Sequence, residues 1–321
     1  MSLLDLFRRP SPPSLPASFA EARTRLMPVL RGRWKRECLR LIGADTPPGS
    51  LFLPFSSDTV LMLVHDDADV MQPIGQAELA QWGVSVDEAL GAAMDNLRDA
   101  TAGRVVQVER RVFAGDWRDV YASSRLLLPD LAHRIAGANP LAMIPAPQTL
   151  LLASGNDMES VRAMVALAQR VADVEAHPVS ALMYRYEHRR PVEHVPDDDA
   201  VRAGLAHLGR QYLYGDYAAQ KELLDALHER KGIDIVVAGY KVMRDAAGGG
   251  EYSVCVWPRG VDALLPKTDR VVLSSHGQDL PMLPWDALHA TSGHLMEPVP
   301  GAWPARYRVS GFPDLAPARK A

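Results

Sequence analysis

Apolar residues in this chain come in short runs, and that limits its architecture more than any other feature. The longest, such as Thr59–Val64 and Thr149–Ala153, have strand length and fall far short of the roughly 18 uncharged apolar residues a membrane-crossing helix needs. Several runs pair naturally. Thr59–Val64 and Val70–Ile74 are joined by His65-Asp-Asp-Ala68, and Ala181–Tyr186 and Val192–Val195 by Glu187–Arg190. Both arrangements predict antiparallel hairpins, which argues against an all-parallel sheet. Val105–Phe113 and Leu141–Ile144 read as further strands.

Stretches of helical period lie between the strands. Ser85-Val86-Asp87-Glu88 has capping-box spacing: the Ser85 hydroxyl can accept from the amide at 88 while the Glu88 carboxylate reaches back. Leu90, Met94 and Leu97 follow at helical spacing, so the helix runs to about Asp99. Asp157–Val174 places Val161, Met164, Val165, Leu167 and Ala168 on one side, and Ser123–Ile135 is a third helix. Ala20–Ile42 reads as helical with interruptions near Pro28 and Gly32.

Pro196-Asp-Asp-Asp199 is a break in composition and a good helix start, with carboxylates at the positive end of the dipole. Helices are predicted at roughly 198–209 and 216–230, then a strand pair, Ile233–Met243 with Tyr252–Trp257, across Gly248-Gly-Gly250. Arg270–Ser274 and Tyr307–Val309 are strands, and the proline-rich stretch Pro281–Pro317 is expected to be irregular. With 321 residues, 47% of them hydrophobic, a sizeable core and two domains are expected. The predicted fold is α+β. A basic helical arm (1–50) precedes a mixed or antiparallel sheet with helices on one side (51–196), and a smaller α+β region with a proline-rich tail (197–321) follows.

Charge is uneven. The net charge of -4 argues against a whole-surface nucleic-acid binder. Residues 1–40 nevertheless hold nine basic side chains against three acidic ones. Such an arm can visit an anionic lipid or nucleic-acid surface; docking on the acidic remainder is the plainer account. Met1–Pro10 lacks the order of a secretory signal. Cys38 and Cys255 cannot form a disulfide framework and suit a reducing compartment. A cytoplasmic protein without integral membrane association is expected.

The common catalytic signatures are missing: no Gly-x-Ser-x-Gly elbow, no Gly-x4-Gly-Lys-Ser/Thr loop, no His-Glu-x-x-His and no Cys-x-x-Cys. Among candidate metal ligands, His65, Asp66, Asp67 and Asp69 carry the right donors. Strand alternation sends them to different faces, and a solvated turn explains them as well. The pairs Glu187/His188 and Glu193/His194 sit at a hairpin tip, and His289 with His294 in a loop-like stretch. Cys255 reads as a buried thiol in a strand, and Cys38, near Lys35 and Arg36, has no visible base partner. Ser123 and Ser124 before Arg125 read as a helix cap and an arginine paired to an acidic neighbour. Reactive side chains are thus expected on turns and outer faces and not in one hollow. Arg33, Lys35 and Arg36 of the arm, and Tyr212 and Tyr214 of the Tyr212/Tyr214/Tyr217 cluster, are the candidate interaction residues.

Four stretches in order resemble the YtpQ-like family of bacterial proteins, a domain of unknown function: Gln81–Glu88 leading to Asn96-Leu97-Arg98; Tyr121–Leu127; Ala142–Pro145 with Leu150–Ala153; and Pro178–Tyr186 with Pro191-Val192-Glu193. The resemblance covers about residues 58–196. It implies a compact bacterial cytosolic α/β module and supplies no catalytic residues or cofactor. The function expected from all this is non-enzymatic binding of another macromolecule, as an immunity or regulatory partner. A metal-dependent hydrolase or nuclease using His65, Asp67 and Asp69 is the alternative.

Overall fold

The computed structural model describes residues 15–42, 51–67, 70–101, 105–117, 119–175, 178–245, 248, 250–275 and 278–314. The fold is α+β. Thr59–Asp66 is the central strand of an antiparallel sheet, with Leu26–Gly32 along one edge and Phe52–Pro54 and Met71–Pro73 along the other. Leu26–Gly32 corrects the helical reading of 20–42. Leu26 joins one apolar cluster while Met27, Val29 and Leu30 join another, so the strand is covered on both faces. A strand buried on both sides loses its period-two pattern and cannot be told from a buried helix by periodicity.

A second, six-stranded sheet is antiparallel throughout, in the order 190–193, 183–187, 140–143, 151–154, 112–115, 105–109. Alternation divides its side chains cleanly. Leu141, Met143, Leu151, Ala153 and Met183 pack on the helix Met158–Ala172, whereas Ala142, Leu152 and Tyr184 face the first sheet and the helix Pro129–Ala136. Of the capping box expected at Ser85, one half forms: the Ser85 hydroxyl accepts from the Glu88 amide at 3.2 Å; Asp157 caps Met158–Ala172. Both predicted hairpins form.

After Asp198, which accepts from the Val201 amide, one helix runs unbroken from Asp199 to Lys231 and ends at Gly232 in the left-handed conformation. This replaces the two shorter helices expected. Gly215, between the two expected helices, sits within the one helix on its exposed side. Two small mixed sheets complete the chain. One joins Val236–Val237, Ala263–Pro266, Arg306–Val309 and Glu297–Pro298; the other joins Lys241–Arg244, Glu251–Pro258, Arg270–Ser275 and Gln278–Pro284. Between them lie Trp257, Leu265, Val271, Leu273, Trp285 and Val309. The strand expected at Tyr307–Val309 forms, as Arg306–Val309, while the rest of the stretch expected to be irregular also holds the end of the strand Gln278–Pro284 and the helix Trp285–Ser292. Pro284 ends its strand and precedes that helix, Pro298 ends another strand, and Pro281 lies on an edge strand, positions where a missing N–H is tolerated. Among the described residues no helix is long and apolar enough to cross a membrane.

Candidate functional site

Where the first sheet, the second sheet and the long helix meet, they leave a hollow of about 190 Å³. Its residues come from five places in the chain. Asp58 stands in the turn before the central strand. It accepts from Ser180 Oγ at 2.9 Å, from the Ala181 amide at 2.9 Å, from Thr59 Oγ1 at 2.9 Å and from Ser56 Oγ at 3.0 Å. The Tyr184 hydroxyl bridges Ser56, Thr59 and Ser180 behind it, at 2.9–3.1 Å. Burial pushes the Asp58 carboxyl up from its ordinary value, and these hydrogen bonds hold it partly down.

Opposite stands Asp216 of the long helix. Gly209, Tyr212, Leu213 and Asp216 follow at i, i+3, i+4 and i+7, so they form one stripe, and all four line the hollow. Asp216 makes no hydrogen bond or ion pair among the described residues. Burial, and then the nearby Asp58 charge, push its carboxyl up to about 7. The Tyr212 hydroxyl is anchored on the Pro145 carbonyl at 2.7 Å.

Aromatic walls close the space. Trp34 enters from the start of the helix Trp34–Leu41, and Trp303 from the loop before the last strand. The guanidinium of Arg33 lies 4.6 Å over the Trp303 ring, while the indole Nε1 of Trp303 is buried without a hydrogen-bond partner among the described residues. Gly32 lets the wall come close, since a Cβ there would stand 3.0 Å from the Pro178 carbonyl. A second hollow of about 440 Å³ shares Gly209, Leu213 and Trp303 with the first. Beyond Trp303 it is lined by Tyr217, Tyr240, Lys267, and Arg210 paired with Asp269. The two form a groove along the long helix with Trp303 between them.

The placement of the expected residues is mixed. Arg33 and Tyr212 meet at this groove; Lys35 and Arg36 are exposed on their helix, and Tyr214 points to solvent. His65 is buried at the far end of the central strand, about 23 Å along the strand from Asp58. Both its ring nitrogens lack partners among the described residues, and burial holds its pKa below the ordinary value. Asp67 pairs with Arg25, Asp69 lies outside the described residues, and no group of three or more His, Cys, Asp or Glu that could hold a metal occurs among the described ones.

The other candidates have ordinary roles. Glu187 pairs with Arg185, and Glu193 accepts from the Ser57 amide at 2.6 Å. His188 and His194 flank the same hairpin, and the His289 ring packs edge-on against Tyr307. Ser124 Oγ accepts from the Leu30 amide, and Arg125 is paired with Asp119. Burial pushes the Cys255 thiol up to about 11. Of the basic arm, residues 1–14 and 43–50 lie outside the described residues.

The reactive candidates named from the sequence lie apart from one another, whereas Asp58, Asp216 and Tyr212 line one hollow. Asp58 and Asp216 carry no recognisable spacing. The one signal available was the stripe Gly209, Tyr212, Leu213, Asp216, which puts a carboxylate on the inward face of a helix. Compared with family models, curated proteins and solved structures, the chain matches none, so the site stands on its own geometry.

Proposed function

We propose that the protein is a non-enzymatic binding protein that takes a cationic side chain of a partner macromolecule into the hollow between Asp58 and Asp216. One observation carries the reading: two carboxylates, one of them without a partner among the described residues, face a space walled by Trp34, Trp303 and Tyr212. A cation is attracted by aromatic faces and by carboxylates alike, and both gain strength where water is scarce. Arg33 over Trp303 is an example of this contact within the chain. The hollow has room for one side-chain head, and the adjoining groove supplies a path for the rest of a chain. Both cysteines are free, which supports a reducing, cytoplasmic setting. The resemblance of residues 58–196 to the YtpQ-like family fits a bacterial regulatory or immunity partner and adds no residue roles.

A short blocked peptide containing lysine, and its norleucine counterpart, test the reading through tryptophan fluorescence. Saturable quenching by the lysine peptide alone, lost in Asp216→Asn, is expected. Equal responses to both peptides, or none to either, would remove it. A second reading rests on the Asp216 carboxyl, which titrates near 7 beside Asp58 as a general acid or base would. It requires turnover of the bound group, where the first requires only binding.

A further inference from the structure

A larger cavity lies elsewhere and has the opposite charge. The end of the helix Val86–Asp99, the start of the strand Val105–Glu109 and the helix Pro129–Ala136 enclose an open cleft of about 800 Å³. Val105, Trp117, Leu127, Leu128, Leu131 and Ile135 are its apolar lining residues, set among polar groups that make up more of the accessible wall. Among the described residues that line it, the charged ones are Arg98, Arg134 and Arg189 against one carboxylate, Asp130. Arg98 is paired with Asp95 and Arg189 with Asp130, both on the surface, while Arg134 has no ion-pair partner among the described residues. The cleft is cationic in a chain whose net charge is -4.

Two features show that this cleft is held in shape. The first is beneath it. Arg125, fully buried, lies 4.3 Å over the Trp117 ring, donates to both Asp119 oxygens at 2.8 Å, and donates to Thr101 Oγ1 at 3.0 Å and the Ala100 carbonyl at 2.9 Å. Trp117 and Thr101 are thereby fixed from behind. The second is above it. Arg189 reaches the cleft from a tight hairpin tip in which His188 and Arg189 both adopt left-handed backbone, φ +47° and +64°. A two-residue turn of this kind favours Asn-Gly, because side chains crowd the backbone there. A strained tip that carries an arginine to a cavity points to a use for that arginine.

We propose that this cleft binds a small organic anion: a carboxylate or phosphate head held by Arg134 and Arg189, with an apolar body lying on Trp117, Leu127 and Ile135. A concave site of this size that combines apolar side chains with a few charged groups is a setting in which small molecules bind. Planar guanidinium groups suit such heads because they can donate two parallel hydrogen bonds. The reading is independent of the groove along the long helix, with which the cleft shares no lining residue.

Calorimetric titration of the full chain with octanoate, octanol and inorganic phosphate separates head from body. Octanoate is expected to bind at one site, with octanol and phosphate each weaker by about tenfold or more. Octanoate affinity is expected to fall by about tenfold in Arg134→Gln/Arg189→Gln, exposed positions whose replacement leaves the core intact. It stays unchanged in Asp216→Asn. Octanol matching octanoate, absence of octanoate binding, or full affinity in the double variant would each overturn the proposal. Loss of octanoate binding in Asp216→Asn would also overturn it.

Discussion

The regions around the cleft and around the groove are each built over one buried arginine, and they neutralise it differently. Arg125 under the cleft is met by a carboxylate, Asp119, which is itself 31% exposed and so keeps contact with water. Arg306 beside the groove is 1% exposed and is held by neutral acceptors: the carbonyls of Ala238 at 2.6 Å, Leu264 at 3.1 Å and Tyr217 at 3.3 Å, and Gln220 Oε1 at 2.8 Å. Gln220 in turn donates to the buried Glu37 at 3.1 Å, so the compensating carboxylate stands one amide away. Burial accordingly pulls the Arg306 guanidinium down to about 10. An ion pair localises the compensation and ties two neighbours together. A ring of carbonyls spreads it over the long helix and two strands, so Arg306 works as the fastener of the C-terminal region.

That contrast is most easily broken by removing each arginine. Arg306→Met takes the charged donor from the Ala238 carbonyl and Gln220 Oε1, while the Leu264 carbonyl keeps the Ala238 amide and the Tyr217 carbonyl stays within its helix; a loss of about 3–5 kcal/mol is expected, read from the denaturant midpoint at constant slope. Arg125→Met leaves one half-solvated carboxylate and a few acceptors, for about 2–3 kcal/mol. Adding Asp119→Asn should recover part of the Arg125→Met loss, because it removes the charge left without a partner. Equal losses at the two sites, or no recovery in the double variant, would show that the neutral ring and the ion pair are energetically the same device.

The second expected effect is smaller and depends on pH. Folding raises the Asp216 carboxyl from an ordinary 3.8 to about 7, so between those values the folded chain binds more protons than the unfolded one. Stability therefore falls as pH rises through this window and levels off above it. Asp216→Asn removes the charge that burial and Asp58 oppose. The variant is expected to be more stable than the parent by roughly 2 kcal/mol above pH 7, with the gain shrinking towards pH 4. Thermal melts at pH 5 and pH 8 measure it. Lysine-peptide binding moves the other way, strengthening as pH rises through about 7 and Asp216 ionises. A variant more stable and unable to bind is the trade expected where a residue is kept for function at the expense of the fold. The cleft lies outside this linkage, since Asp216 does not line it.

The same two regions differ in how far their sequence reveals them. Much of the cleft is local: Arg98 follows from a helix capped by Ser85, and Arg189 from a hairpin whose tip was legible in the alternation on either side. The buried pairing of Arg125 was likewise readable as an arginine seeking an acid. The groove is not local. Asp58 and Asp216 meet only because the turn before the central strand packs beside the inward stripe of the long helix, and no spacing encodes that. Misreading Leu26–Gly32 as a helix hid the element that brings Gly32, Arg33 and Trp34 to the site. Expecting two helices, roughly 198–209 and 216–230, hid the continuous face that presents Asp216. Short-range rules see capping, hairpins and amphipathic faces; they cannot see which faces a chain folds onto one another.

The smallest expected effect tests whether the cleft, too, is maintained against stability. Replacing the hairpin tip by His188→Asn with Arg189→Gly supplies the residues that a left-handed two-residue turn prefers. It also removes the surface pair with Asp130, a contact 71% and 76% exposed, whose contribution is about 0–1 kcal/mol. The balance favours the variant by about 0.5–1 kcal/mol in the unfolding free energy. If the arginine is there for a ligand, the more stable tip should bind octanoate less tightly than the parent. If the tip is simply an imperfect turn, the variant gains stability and keeps its affinity, and the cleft then owes nothing to Arg189. In Asp216 the molecule holds a carboxylate against burial, and in Arg189 a guanidinium against backbone preference. One measurement on each decides whether both departures from the favoured local choice serve binding.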